Sequence, residues 1–249
     1  MKKDQVQIIH GDMFDVLPTM EAQFDLIIFD PPYGIGSNVL THDSKKWKKS
    51  AESWDDFESL DSQYQFYLRA LSLLVSKLKD TGNIFVFGSR HCIYMLGDII
   101  QRILKLKIVN SIIWNKKNAM FSITRRSLIE GTEQIIWAAA SQQYFFDYDR
   151  SKIENYDRQM RNVWESSITA NHENISHPHQ KPRWLVSRII KIACPEGGLI
   201  LDPCSGSGAV GIMAPEINRR AICIEKNADY FREAEKKIKS KEELNISFN

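Results

Sequence analysis

Short apolar runs alternate along this chain with longer segments of helical period. Val6–Ile9 and Phe24–Phe29 read as strands, and so do the runs 82–89, 107–116 and 133–140. Between them, Tyr64, Tyr67, Leu68, Leu71, Leu74, Val75 and Leu78 recur at helical spacing and predict a helix over 62–78. Residues 93–104 and the run "RWLVSRIIKIA" from Arg183 predict two further helices. Towards the end, "GLILD" and "RAICIE" are strands flanking a short helix, and a last helix runs from Asn227 to Lys241. Strands alternating with helices predict an α/β fold, a mostly parallel sheet with helices on both faces. At 249 residues the chain suits one such domain, spanning 1–249.

Two segments break the rhythm. Residues 34–58 are polar and lysine-rich, with Gly34 and Gly36 at their start, and read as a lid-like loop. Residues 141–176 mix aromatic and charged side chains without a period and read as a substrate-contacting insert. Composition changes this picture little: 43% apolar and 26% charged residues are ordinary for a globular domain. No run approaches the roughly 18 apolar residues of a membrane span, and the opening residues carry no signal-peptide run. The cysteines Cys92, Cys194, Cys204 and Cys223 form no CxxC pair, so no metal or disulfide framework is expected and a cytoplasmic setting fits best. Likewise His177 and His179 lack a third ligand and read as loop residues, Trp114, Trp137 and Trp184 read as core, and Cys223 as an inert buried thiol. Charge is more informative in its distribution than in its sum of +2. Residues 99–129 hold seven basic residues and no acidic one, and "KKWKK" occupies 45–49, which is the pattern of a polyanion-binding face or of a solvated basic surface.

The candidate chemistry lies in two places. "LILDPCSGSGAVGIMA" sets an apolar strand, Asp202, a turn of small residues and a helix in succession, and Glu225 ends the next strand. Glycines let a ligand approach the backbone, and an acid at the following strand end is placed to hold ribose hydroxyls. No Gly-Lys-Ser/Thr follows, so this is no phosphate loop, and a nucleoside-containing cofactor is expected. Much earlier, "FDLIIFDPPY" delivers Asp30 to the end of a buried strand, at the edge where open α/β sheets bind ligands. Pro31 and Pro32 lack N–H groups and fix the backbone, which suggests free, directed carbonyls beside a carboxylate and the aromatic face of Tyr33. That set matches the exocyclic amine of a planar base: Asp30 and the Pro31 carbonyl accept its two N–H bonds while Tyr33 stacks.

With these motifs together, the chain resembles the S-adenosylmethionine-dependent DNA amino-methyltransferases of restriction–modification systems, in their permuted β class. The likeness covers nearly the whole chain. "DPPY" precedes "LDPCSGSGA", the motif order of that class, and "HPHQKPRWLVSRII" resembles its HPTQKP segment and helix beside the cofactor's methionine part. "IIHGDMFDVL" resembles the segment whose acid, here Asp12, bonds the cofactor adenine, and "IEGTEQIIWAAA" resembles the strand that follows an arginine pair. The chain departs from the family at Cys204, usually aromatic, at Ala209 and Val210, usually threonines, and at His179, usually threonine.

The resemblance implies a Rossmann-like methyltransferase fold and S-adenosylmethionine as cofactor. It implies that Asp12, Asp202, Pro203, Cys204, Ser205, Gly206, Ser207, Gly208, Glu225, Lys226, His179, Gln180 and Lys181 hold that cofactor, and that Asp30, Pro31, Pro32 and Tyr33 form the catalytic motif. Duplex DNA is the implied partner, with base flipping needed to expose the amine, and a homodimer and a cognate restriction endonuclease as further expectations. Lys45, Lys46, Lys48 and Lys49 are candidates for phosphate contact; Arg125 and Arg126 are candidates for bidentate guanine readout or for further phosphate contact; and 141–176 is the natural target-recognition insert. Asp rather than Ser before Pro-Pro-Tyr favours adenine N6 over cytosine N4. RNA amino-methyltransferases share the motif but generally place the cofactor loop first, and a catalytically silent DNA-binding module would not need Asp30, Tyr33, Asp202 and Glu225 intact.

Overall fold

The computed structural model describes residues 5–35, 40–43, 46–49, 55–119, 128–166 and 181–247, with backbone alone at 40–43, 46–49 and 242–247. Within these lie the strands β1 (Val6–His10), β2 (Phe24–Phe29), β3 (Leu40–Asp43), β4 (Lys46–Lys49), β5 (Leu78–Gly88), β6 (Lys107–Lys116), β7 (Thr132–Ala139), β8 (Val163–Ser166), β9 (Leu199–Asp202) and β10 (Arg220–Glu225). The α-helices are α1 (Met13–Val16), α2 (Leu60–Ser76), α3 (Ile93–Asp98), α4 (Tyr148–Ile153), α5 (Arg183–Ala193), α6 (Ala209–Glu216) and α7 (Ala228–Ser247).

One sheet of eight strands, ordered β1-β10-β9-β2-β5-β7-β6-β8, carries the fold. β7 runs antiparallel to β5 and β6, and the remaining neighbours in that sheet are parallel. Its central strand β2 is buried at every position, because apolar layers cover both faces. On one face α2 and α3 lie over Ile27, Phe29 and Val86. On the other, α5 and α6 cover Leu26, Ile28 and Phe85. The acid inside β2 is satisfied: both oxygens of Asp25 accept from Lys79 Nζ at 2.9 Å, and Oδ2 also accepts Leu199 N–H at 2.8 Å.

β2 and β9 lie side by side although far apart in sequence, and from that seam the chain continues to β5 on one side and to β10 on the other. This is a topological switch point, where the loops following adjacent strands part and leave a crevice. Asp30 follows β2 and Asp202 ends β9, so the seam itself brings the two motifs together.

Several expectations change. Gly82 lies inside β5 rather than at its start, and the helix over 93–104 is α3 followed by a π-helical stretch, Ile99–Ile103. α2 starts at Leu60 because Ser59 and Ser62 bond reciprocally as a capping box. The loop 34–58 includes the antiparallel β3–β4 hairpin, and its neck is pinned where the Asp55 carboxylate accepts Gly34 N–H at 2.9 Å and Ile35 N–H at 3.0 Å. The insert 141–176 contains α4 and the sheet strand β8, and its parts stand at opposite sheet edges. Phe145 accepts from Asn83 at the start of the core run of β5, and Asp147 N–H reaches Ile192 near the end of α5. β8 then returns alongside β6 towards the crevice.

Candidate active site

The ends of β1, β2, β9 and β10 surround a cavity of ≈ 670 Å³ at the switch point. Asp12, Asp30, Asp202 and Glu225 all line it, joined by Pro31, Pro32, Tyr33, Lys181, Pro203, Cys204, Ser205, Gly206, Ser207 and Lys226. Gly208 is not part of its wall. With φ of 77° it caps α6 and lies so close to α7 that a Cβ would come within 3.0 Å of Ala234 Cβ. Asp12 and Glu225 meet because β1 pairs with β10, and Gly11 N–H donates to the Glu225 carbonyl at 2.9 Å.

At the glycine loop the carboxylates are already in use. Glu225 accepts Gly206 N–H through Oε2 and Asn227 N–H through Oε1, each at 2.7 Å, which ties the loop to β10. Asp12 caps α1 by accepting Phe14 N–H at 2.9 Å and pairs with Lys226 at 2.9 Å. Burial alone would raise the Asp12 carboxyl, yet these two partners hold it below the usual range. Asp202 has weaker support, a single contact from Cys204 N–H at 3.3 Å. Burial, with Asp30 and Glu225 nearby, pushes its carboxyl up to about 8. The same surroundings raise the Cys204 thiol far above its ordinary value. Ser205 Oγ is buried without a hydrogen-bond partner among the described residues.

A cavity with several acids, an orphaned hydroxyl and backbone close to its wall fits a cationic nucleoside ligand such as S-adenosylmethionine. The acids can offset sulfonium and ammonium charge.

The other corner is built differently. The Tyr33 hydroxyl donates to Asp30 Oδ1 at 2.7 Å, and Lys181 Nζ lies 2.9 Å from Asp30 Oδ2, 3.2 Å from Glu133 Oε2 and 3.1 Å from the Tyr33 hydroxyl. Glu133 Oε1 also pairs with Lys116. Burial opposes the charge on Lys181, but Asp30 and Glu133 overcome it and raise the ammonium above its ordinary range. Burial likewise would raise Glu133, but Lys181 and Lys116 hold it low. Tyr33 is kept protonated, first by burial and then by Asp30 and Glu133.

The proline carbonyls are not all free, as the sequence suggested. The Tyr67 hydroxyl donates to the Pro32 carbonyl at 2.7 Å, and Gln63 Nε2 donates to the Tyr33 carbonyl at 3.0 Å. Prolines deny these oxygens local backbone partners, so donors from α2 take them. Among the described residues, only the Pro31 carbonyl of the three is left without a hydrogen bond. Gly34, at φ of 73°, lets the chain pass Gln63, where a Cβ would come within 2.4 Å of its amide nitrogen.

Lys181, expected among the cofactor contacts, lines the cavity and pairs there with the Asp30 carboxylate. Glu133, Lys116, Gln63 and Tyr67 were not expected at all. The signal for Glu133 was an acid opening an apolar strand, but only the antiparallel direction of β7 brings a strand's start to the crevice. Trp114 packs in the core as expected, yet it also lines the cavity and donates from Nε1 to Ser166 Oγ at 3.0 Å. Among the described residues of the basic run 99–129, the charges do not share one face. Arg102 pairs with Asp98, Lys107 lies over the Tyr144 ring at the far sheet edge, and Lys116 is inside the site. Lys45, Arg125, Arg126, His177, His179 and Gln180 lie outside the described residues, and Lys46, Lys48 and Lys49 are described as the backbone of β4. No helix among the described residues is long and apolar enough to cross a membrane.

Comparison with known proteins agrees with this arrangement. Residues 24–236 match the N6/N4 DNA methylase family. The Type II methyltransferase M2.DpnII of Streptococcus pneumoniae is 32% identical over 98% of this chain and 93% of its own. The M1.HpyAVI–SAM complex superposes with a TM-score of 0.69 at 23% identity, over 94% of this chain and 98% of its own. The PvuII DNA methyltransferase, described as cytosine-N4-specific, superposes with a TM-score of 0.73 at 14% identity, over 95% of this chain and 90% of its own, a likeness of fold. The chain belongs to the N6/N4 DNA methylase family of restriction–modification methyltransferases, whose methyl donor is S-adenosylmethionine.

Proposed function

We propose that this DNA methyltransferase transfers the methyl group to the exocyclic N6 amine of an adenine flipped out of duplex DNA. The observation that carries the reading is the pairing of the Asp30 carboxylate with the open Pro31 carbonyl, on the wall of the cavity that also holds the acidic glycine loop. An exocyclic amine is a poor nucleophile because its lone pair is delocalised into the ring. Two acceptors on its N–H bonds favour a tetrahedral nitrogen and localise that pair. S-adenosylmethionine supplies the electrophilic methyl. The amine nitrogen forms the N–C bond as the C–S bond breaks, and one of its protons leaves by way of Asp30 to water. Orientation in the crevice supplies much of the acceleration.

Asp12, Asp202, Ser205 and Glu225 are the cofactor residues of this reading, and Tyr33 is the stacking face for the base. The motif order, with Asp30 ahead of the glycine loop, supports the permuted β class. Segments joined to the crevice edge are the candidates for DNA contact: the β3–β4 hairpin bearing Lys46, Lys48 and Lys49, the connection with Arg125 and Arg126, and the return of the insert through β8. A homodimer and a cognate endonuclease complete the reading, on the likeness to Type II methyltransferases.

Tritiated methyl transfer into duplex DNA, with RNA as control and digestion to nucleosides, tests it. The expected product is N6-methyladenine. Label in N4-methylcytosine, or in RNA alone, overturns the adenine-N6 reading.

A further inference from the structure

Four charged side chains at the catalytic corner form a closed set that methyl transfer to an amine does not obviously need. Asp30 and Glu133 contribute two negative charges, and Lys181 and Lys116 two positive ones. Their side chains are 27%, 12%, 10% and 17% exposed, so water screens them poorly. Lys181 spends its three N–H bonds on Asp30 Oδ2, Glu133 Oε2 and the Tyr33 hydroxyl. It is thereby held from three directions, and Glu133 Oε2 also lies 3.4 Å from the Tyr33 hydroxyl. The Lys116 ammonium bonds the remaining Glu133 oxygen and lies over the Trp114 ring.

We propose that Glu133 and Lys116 are positioning residues for methyl transfer: they anchor the Lys181 ammonium on Asp30 and keep the corner electrically neutral. This rests on the reading of Asp30 as the amine acceptor. As the new N–C bond forms, the amine nitrogen gains positive charge beside this set. A neutral corner leaves the Asp30 carboxylate free to stabilise that charge, whereas an excess cation opposes it. The groups facing Lys181 are Asp30 and Tyr33 after β2, Glu133 on β7 and Lys116 on β6; Cys92, Asp202 and Cys204 are the further titratable groups around Asp30 and Tyr33 among the described residues.

Charge removal, singly and by pairs, tests the inference. Glu133→Gln leaves one surplus positive charge and removes an anchor. We expect kcat to fall about 10²-fold, as for a small misplacement of a reacting group, with KM for DNA and cofactor affinity unchanged. Its alkaline limb should move to lower pH, because Lys181 loses one of the two carboxylates that keep it protonated. Adding Lys116→Met restores neutrality, and E133Q/K116M should recover about tenfold of the loss through coupling of neighbouring sites. Glu133→Asp keeps the charge and should leave the alkaline limb at the wild-type position. This variant carries the test if E133Q loses its fold, as judged by cofactor binding.

An E133Q enzyme with wild-type kcat and pH profile overturns the inference, as does a double mutant whose losses simply add, or an alkaline limb displaced in E133D. Asp30→Asn, run alongside, separates the two claims. Normal turnover by D30N removes the amine-acceptor reading itself, while an inactive D30N beside an unaffected E133Q removes the positioning role alone.

Discussion

The two corners of the crevice are both acidic at first sight, yet they are finished in opposite ways. At the Asp30 corner the protein supplies its own counter-charges, so Asp30 is held by Tyr33 and Lys181. At the glycine-loop corner, among the described residues, Asp202 is buried with one long hydrogen bond and Ser205 Oγ has no partner. The difference teaches where geometry is preorganised and where it is left for the ligand. An acceptor for a neutral amine must be rigid and already charged. A pocket for a cation leaves an acid short of partners, so that Asp202 keeps its proton in the free protein and gives it up when the cation binds.

That contrast breaks most sharply at Asp30. Replacing it with alanine should lower methyl transfer at least about 10³-fold while cofactor affinity, read by calorimetry, stays within a factor of about two. Loss of both together would mean that the corners are one unit.

Asp202 should behave in the reverse manner. Asp202→Asn should weaken cofactor binding about 30-fold, since it leaves a buried cation short of its partner. The pH dependence has a definite sign. Because the folded carboxyl lies at about 8, well above its unfolded value, the ligand-free fold holds an extra proton between the two values. Stability therefore falls as pH rises through that window, and D202N should abolish this fall in denaturation midpoints. A bound cation favours the ionised form, so wild-type cofactor affinity should rise with pH and level off above about 8, with proton release seen in calorimetry. A flat affinity profile would place the counter-charge elsewhere.

The smallest effect belongs to Ser205. Ser205→Ala should weaken cofactor binding about fivefold, the worth of one hydrogen bond, and leave the free protein as stable as before or slightly more so. An unchanged affinity would mean that the orphaned hydroxyl bonds nothing in the complex.

Much of this was legible in the chain itself. Alternating apolar runs and helical periods reported the α/β class, since they record which faces are buried. The acid-proline-proline-tyrosine turn and the glycine loop reported the two corners, because each requires particular residues next to one another. The bounds of α2 and β5 were less legible, since a capping pair and a glycine tolerated within a strand shift them.

Partnerships between distant residues were not legible. Glu133, Lys116 and Lys181 meet only because β7 turns back against β5 and delivers its first residues to the crevice, a direction that no local pattern encodes. Gln63 and Tyr67 look like any buried positions of an amphipathic helix until they occupy carbonyls that prolines left open. The described basic residues of 99–129 part for the same reason, because strand β6 carries Lys107 and Lys116 to opposite edges of the sheet. Local chemistry is set by neighbours along the chain and survives in the sequence. Charge balance is set by neighbours in space, and the order and direction of the strands decided it.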